Sequence, residues 1–450
     1  MTERALPFEP RPRRHCAAAV LCCLASSLFG ASQAWALQPL SVFVAGAANN
    51  PASREARATV LQREAEQGTA TGRLLPSLSA GATYTRNQYE VALALPVAAG
   101  AMGAAATPTR LIIQPLNQLD ANVALSVPII DIGGWERRSA AKAAFEAQKE
   151  SERATSFDTQ RQVTLAYYQL VANAALLESA TRTLSVAQQN LQTVRDREQS
   201  GTASELDVQR AIADVATAEQ QVASAGLGVT SNARNLGTLS GVEPDPSALP
   251  LTDDLREEPP LAQWLRSSST SPSVRSAAAS RRAAQKSADA ARASWLPTVT
   301  GTATERYTNA TAFAGHANYY LLQLTASWKL DATLSSAVRA QNAAAAAAIA
   351  REDGAQRQAD DAIFLAWNQI GADIAKSRSA RAQVAASTVA AELARNRYAA
   401  GIATQLDVLQ AQTDLFKAEV ARIQADTDLA YARASLRLAA GQHLITETRP

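Results

Sequence analysis

Two matching segments, REQSGTASELDV at residues 197–208 and RYAAGIATQLDV at residues 397–408, define the fold of this chain. Each places a glycine, Gly201 or Gly401, where a helix is expected to end in a left-handed cap. Each then has a Ser or Thr three residues before an acid, Asp207 or Asp407, which is the spacing of a helix N-cap. We therefore expect two tight turns between helices, with Asp207 and Asp407 stabilising the first turn of the helix that follows.

The two turns belong to a long internal repeat. Residues 123–241 recur as residues 323–441 at a constant offset of 200, and the Pro51–Pro76 spacing of 25 recurs as Pro272–Pro297. The sequence therefore predicts one repeat at residues 37–241, an inter-repeat linker with the start of the second repeat at 242–271, a second repeat at 272–441 and a tail at 442–450. Each repeat is expected to contain a helix, a β-hairpin (about 77–131 and about 298–331), a long helix and a helical hairpin.

The first 36 residues have the features of a secretory signal peptide. A basic start precedes an apolar stretch at 17–29 and the small-x-small cleavage site Ala34-Trp35-Ala36. All three cysteines lie in this segment, which excludes disulfides, thiol chemistry and a cysteine metal site from the mature chain. The mature chain keeps two histidines and carries 39 basic and 39 acidic side chains. We expect no cofactor, no metal and no nucleic-acid partner.

Four short segments alternate apolar and small polar residues. They lie at residues 77–87, 118–128, 298–307 and 320–331, each about the 9–11 residues that a tilted strand needs to cross a bilayer. One such hairpin is equally compatible with a soluble, half-buried hairpin. Two hairpins together with an export signal favour strands with lipid on one face and water on the other. An open four-stranded sheet would leave unpaired edges in lipid, so this interpretation requires strands from other copies.

Most of the remaining chain follows a heptad pattern. Val163, Leu170, Leu177, Leu184 and Leu191 are spaced by seven, and a second series runs from Val208 to Leu236. Such spacing predicts long helices packed side by side. No proline or glycine occurs between residues 136 and 199, which allows a helix of about 95 Å at 1.5 Å per residue. The segment 91–108, rich in Ala, Gly and Pro, is expected to be a long hairpin tip.

This order of elements resembles the TolC-type outer membrane efflux proteins over essentially the whole mature chain. The resemblance rests on Asn50-Pro51 with Leu75-Pro76, on Ser271-Pro272 with Leu296-Pro297, and on the two turn segments. It implies an α+β membrane protein whose long coiled-coil-like helices form an α-barrel. Four strands per chain would contribute to a trimeric twelve-stranded transmembrane β-barrel.

The resemblance also implies a function, a location and partners. The protein would be a channel-tunnel that conducts the substrates of a tripartite efflux pump or a type I secretion system. It would lie in the outer membrane of a Gram-negative bacterium, surrounded by outer membrane lipid, and extend into the periplasm. Its partners would be two further copies in a homotrimer, a periplasmic adaptor and an inner-membrane transporter. The exported substrate and the transporter class are left open.

The resemblance assigns candidate roles to residues at the turns. Asp207, Asp407 and Tyr398 match periplasmic gate positions, and Gly201, Thr202, Gly401 and Ile402 match turns that contact an adaptor. The sequence departs from the better-known members at two positions. Ala403 stands where a gate-locking arginine is expected, and Gln410 stands where a second carboxylate is expected. Asp214 and Asp414 are expected to be solvated helix charges.

Two other classes of protein fit this sequence less well than the channel does. A periplasmic coiled-coil adaptor also carries heptad hairpins, but it would have one helical hairpin flanked by compact β domains. A hydrolytic envelope enzyme is disfavoured because the chain has no Gly-x-Ser-x-Gly motif and no His/Cys metal set. We therefore expect no enzyme activity.

Overall fold

The computed structural model describes residues 37–95, 109–245, 253–312 and 315–444. The expected signal peptide and the last six residues of the expected tail lie outside these ranges. Eight α-helices are described: α1 (Leu40–Gly46), α2 (Pro51–Gly72), α3 (Ile132–Gln199), α4 (Glu205–Ser240), α5 (Leu261–Leu265), α6 (Pro272–Ala293), α7 (Ala332–Ala399) and α8 (Gln405–Ala439). Six strands are described: β1 (Ser77–Arg86), β2 (Val91–Leu95), β3 (Thr109–Gln114), β4 (Asn117–Ile130), β5 (Thr298–Thr308) and β6 (Asn318–Ser327).

The two long helices begin and end at equivalent positions of the repeat. Helices α3 and α7 each contain 68 residues, and their first residues lie 200 positions apart. At 1.5 Å per residue each is about 100 Å long, roughly three times the hydrocarbon thickness of a bilayer. Asp131 accepts from the backbone N–H of Gly134 at 2.6 Å, and Asp331 accepts from that of Leu334 at 3.0 Å. These two caps fix the point at which each long helix starts.

The helices lie side by side in the order α2, α3, α6 and α7, while α4 packs on α3 and α8 packs on α7. The predicted heptad positions Val163 and Leu170 of α3 are fully buried. Their equivalents 200 residues later in the repeat, Ile363 and Ile370 of α7, are 0% and 1% exposed. The heptad prediction is therefore confirmed. Among the described helices, none combines the length and apolarity required to cross a membrane.

A four-stranded antiparallel sheet has the order β1-β4-β5-β6. Its register places Leu78, Leu125, Ala303 and Leu322 in one row across the four strands. Leu78 and Leu322 of this row are 73% and 71% exposed. The neighbouring row on the opposite face holds Ser126 and Thr302. The predicted alternation is confirmed, because one face of the sheet is apolar and open while the other carries mainly polar side chains.

Three charged side chains mark the faces of this sheet. Asp120 of β4 and Arg306 of β5 form an ion pair of 2.8 Å on the polar face. Glu305 lies on the apolar face, directly opposite Val123 of β4 and Tyr320 of β6. The sequence pattern had not assigned Glu305 to either face. Its neighbour Tyr320 is 75% exposed, as is typical of an aromatic residue near a membrane surface.

The segment 91–108, predicted as a long hairpin tip, begins with a strand. Its first five residues form β2, which pairs antiparallel with β3 in a separate two-stranded ribbon between β1 and β4. Residues 91–95 are therefore one arm of a hairpin, and residues 96–108 lie outside the described ranges. The run of apolar residues in β2 lacks the period-two alternation that marks β1, β4, β5 and β6.

The end of the inter-repeat linker forms a strap, residues 253–265, across α7 and α8. Leu255, Leu261, Trp264 and Leu265 pack against a core that contains Ile363, Ile370, Leu429 and Leu436. Trp367 donates from Nε1 to the backbone oxygen of Pro259 at 2.9 Å. Arg433 of α8 holds the strap through Asp253 and Glu258, at 2.9 and 2.5 Å. The strap therefore binds the second helical hairpin, α7 and α8, at the end that lies far from its turn.

Candidate functional site

The two predicted turns have the same backbone geometry. Gly201 and Gly401 have φ values of 77° and 75°, in the left-handed region. The next residue in each turn, Thr202 or Ile402, donates its backbone N–H to the carbonyl of Arg197 or Arg397 at 2.8 and 2.9 Å. This is the Schellman arrangement that ends a helix at a glycine. The prediction of glycine caps is confirmed at both turns.

Each turn leads into a complete capping box. The backbone N–H of Ser204 donates to Oδ2 of Asp207 at 3.2 Å, and that of Thr404 donates to Oδ2 of Asp407 at 2.8 Å. The hydroxyls of Ser204 and Thr404 accept in return from the backbone N–H groups of the two aspartates, both at 3.3 Å. The hydrogen bonds from the backbone and side chain of Thr404 lower the pKa of Asp407 below its usual value. Both carboxylates therefore act as the caps predicted from the sequence.

Tyr398 is held by a residue that the sequence did not single out. Arg197, in the last turn of α3, donates to the backbone oxygens of Tyr398 and Ala399 at 2.8 and 3.0 Å. Its guanidinium also lies 4.4 Å from the centre of the Tyr398 ring. We call this contact of Arg197 with the end of α7 the turn latch. It adds a charged donor to two carbonyls in the last turn of α7, one of which, that of Tyr398, also accepts from the backbone N–H of Gly401 at 3.0 Å. It also places a cation over an aromatic face.

The turn latch brings the two turns together. One signal in the sequence pointed toward it, because a basic residue in the last turn of a helix commonly binds terminal carbonyls. The repeat supplies two such residues, Arg197 and Arg397, and the sequence did not reveal that Arg197 reaches the other helix. Such a contact joins residues 201 positions apart and depends on the packing of α3 beside α8.

The predicted adaptor-contacting residues lie at the exposed ends of the helical hairpins. Gly201, Thr202, Gly401 and Ile402 are all exposed. Ile402 is 75% exposed, and Leu206 and Leu406 in the two turns are 58% and 54% exposed. The two turns thus present a mixed surface with apolar residues at its tip, and one turn carries Thr202 where the other carries Ile402.

Asp214 and Asp414 differ in their surroundings. Asp414 is exposed and accepts hydrogen bonds from Nε2 of Gln410 at 3.0 and 3.1 Å. Asp214 is half-buried, and burial raises its pKa above the usual 3.8. The prediction of a solvated charge is therefore wrong for Asp214. Within the described ranges no group of three or more His, Cys, Asp or Glu side chains is arranged to hold a metal ion.

Comparison with known proteins places this fold and these turns in one family. The sequence matches the outer membrane efflux protein family over residues 45–242 and 266–442. The chain has no significant match among curated proteins. Three solved structures of outer membrane proteins have a similar fold.

The outer membrane protein VceC of Vibrio cholerae is 19% identical with a TM-score of 0.73, over 90% of this chain and 96% of that chain. The CmeC outer membrane channel of Campylobacter jejuni is 17% identical with a TM-score of 0.75, over 90% and 86% of the two chains. The open state of the MtrE outer membrane channel of Neisseria gonorrhoeae is 20% identical with a TM-score of 0.72, over 91% of each chain. The family match covers most of the chain and the fold agrees with it. The chain therefore belongs to the outer membrane efflux protein family, and it is an outer membrane channel rather than a periplasmic adaptor.

Proposed function

We propose that three copies of this chain form a continuous duct across the outer membrane and the periplasm. The observation that carries this proposal is the sheet with two open edges. Among the described strands, β1 pairs only with β4 and β6 only with β5, while the apolar face of the sheet is exposed. An open edge cannot persist in lipid, because each unpaired backbone group there costs several kcal/mol.

Pairing of β1 with β6 of a neighbouring copy closes the sheet. Strand β1 runs away from the end of α2, and β6 runs back toward the start of α7, so the new pair is antiparallel like the other pairs. Four strands from each of three copies then give a closed barrel of twelve, with the polar face and the Asp120–Arg306 ion pair lining water. The long helices extend this passage away from the membrane.

The turns form the far end of the duct. We assign Gly201, Thr202, Gly401 and Ile402 to contacts with a periplasmic adaptor, which links the duct to an inner-membrane transporter. Their support is position and exposure, since they lie at the tips of helices about 100 Å long. The duct conducts passively, and the transporter supplies the energy.

The gate lies at the same turns. We assign Tyr398 and Arg197 to the contact that holds the two turns of one copy together. Asp407 and Asp207 narrow the mouth by their negative charge, and each also caps its helix. An exposed aspartate is ionised at neutral pH, so Asp407 presents a negative charge that favours capture of cations at the mouth.

Cysteine cross-linking tests the assembly, since the expected mature chain has no cysteine of its own. One cysteine is placed in β1, near Ala80, and a second in β6 of the same chain, near Leu322. The outer membrane fraction is then oxidised. We expect disulfide-linked dimers and trimers on denaturing gels. Cysteines on β1 and near Ala303 of β5 are the matched control, because β5 is an interior strand and no cross-link is expected. A protein that stays a detergent-free monomer contradicts the proposal.

A further inference from the structure

A row of buried polar side chains follows α8 at heptad spacing. The polar row consists of Gln405, Gln412, Glu419, Asp426 and Arg433. Gln405, Gln412 and Asp426 are 2%, 8% and 3% exposed, and the side chains of Glu419 and Arg433 are 23% and 12% exposed. Core positions of packed helices are normally apolar, and polar residues there reduce stability.

The other copy of the repeat lacks this row. The positions 200 residues earlier on α4 hold Glu205, Ile212, Glu219, Gly226 and Ala233. Glu205 and Glu219 are exposed, so the two acids of this set face water. The buried polar row therefore occurs on α8 and not at the equivalent positions of α4. The two helical hairpins differ in this respect.

Partners of the polar row are concentrated away from the turn. Arg433 binds the strap, and Asp426 accepts from Ser377 at 2.5 Å and pairs with Arg381 at 3.0 Å. One heptad nearer the turn, Glu419 accepts from the hydroxyl of Ser179 and lies 3.6 Å from Arg182, both on α3. These pairs join α8 to the strap, to α7 and to α3.

At the turn the polar row has no such partner. In the described part of the chain, neither the amide nitrogen nor the amide oxygen of Gln405 has a hydrogen-bond partner. A buried polar group without a partner costs about 1–3 kcal/mol, and this cost disappears when the group reaches water. The arrangement in which the turn latch is formed thus contains a destabilising group, the buried amide of Gln405.

We propose that Gln405 is a positioning residue that favours the open state of the duct, in which the turn end of α8 moves and the unpaired amide reaches water. The paired residues Glu419, Asp426 and Arg433 keep the other end of α8 in place, so that the helix tip swings while its base stays fixed. The turn latch stabilises the closed state. This inference rests on the proposed function, because it assigns the energetics of that gate.

Single-channel recording of the purified protein in planar lipid bilayers tests the inference. Gln405→Met keeps the length of the side chain and removes the unpaired amide. We expect about tenfold lower occupancy of the open state, which corresponds to about 1.4 kcal/mol. Gln405→Glu places a charge at the same buried position and is expected to raise open occupancy at neutral pH. Opposite effects of the two variants are not expected from a merely structural role.

The control and the second variant complete this test. Glu205→Met changes the equivalent but exposed position of α4, and its open occupancy is expected to match that of the wild type. Gln405→Leu, which also removes the unpaired amide, replaces Gln405→Met if the latter does not assemble, and it is expected to lower open occupancy as well. Assembled variants whose open occupancy equals that of the wild type overturn the inference. A wild-type protein that conducts no current refutes the proposed function itself.

Discussion

Removal of the Arg433 side chain is expected to release the strap from α8. The guanidinium donates to both carboxylate oxygens of Asp253 at 2.9 and 3.1 Å, to Glu258 at 2.5 Å and to the backbone oxygen of Arg256 at 2.7 Å. Burial opposes the charge on Arg433, but the hydrogen bonds with Asp253 and Glu258 outweigh it and raise its pKa. Arg433→Ala leaves two nearly buried carboxylates without their cation.

The free-energy cost of Arg433→Ala depends on the burial of the ion cluster of Arg433, Asp253 and Glu258. Loss of one partner from a buried ion pair costs about 3–5 kcal/mol. The side chains of Arg433, Asp253 and Glu258 retain 12%, 18% and 11% exposure, so that water screens part of the lost interaction. We therefore expect the lower end, about 3 kcal/mol, which corresponds to about a hundredfold change in the equilibrium for strap opening.

Hydrogen exchange followed by mass spectrometry measures this opening directly. Peptides that cover residues 253–265 are expected to exchange about a hundredfold faster in Arg433→Ala, while peptides from the middle of α3 keep their rate. Lys417→Ala, which removes an exposed cation from the same helix, is the matched control and is expected to leave the strap unchanged. If the strap exchanges at the wild-type rate in Arg433→Ala, the ion cluster does not hold it, and the energetic argument is wrong.

Three further predictions concern the turns and their helices. Gly401→Ala forces a side chain into the left-handed region at φ 75° and is expected to destabilise the turn by about 1–2 kcal/mol in thermal melts. Gly371→Ala in α7, where an added Cβ meets nothing within 4 Å, is its control and is expected to stabilise by about 1 kcal/mol. Asp407→Ala is expected to raise single-channel conductance or to abolish cation block in a planar bilayer, and unchanged conductance and block remove Asp407 from the gate. Burial raises the pKa of Asp214 above 3.8, so its contribution to stability is complete below pH 3.8 and is lost as the pH rises through the shifted value. Asp214→Asn is accordingly expected to melt higher than the wild type at pH 7 and equally below pH 3.8, and equal melting at pH 7 would contradict the argument.

The features predicted correctly from the sequence depend on local chemistry. Left-handed glycines and capping boxes involve residues within a few positions of one another, and the heptad and alternating patterns report which side of an element is buried. The doubled repeat then supplied each observation twice. These signals were sufficient to predict the long helices, the four-stranded sheet and the two turns.

The features that the sequence missed depend on contacts between distant segments. The turn latch joins Arg197 to Tyr398 and Ala399, and the burial of Asp214 depends on how its helix packs. The polar row was hidden because Gln, Glu, Asp and Arg on a helix normally face water. Its burial became visible only when α8 was placed against α3, α7 and the strap.

The open edges of the sheet have a consequence for biogenesis. A lone copy embedded in lipid would expose the free backbone groups of β1 and β6 to hydrocarbon, so a membrane-embedded monomer is too high in free energy to accumulate. In the proposed trimer, strand closure between copies and entry into the bilayer are therefore expected to be coupled. The yield of finished channels is therefore expected to depend steeply on the local concentration of newly exported chains, and scarce chains remain targets for periplasmic proteases.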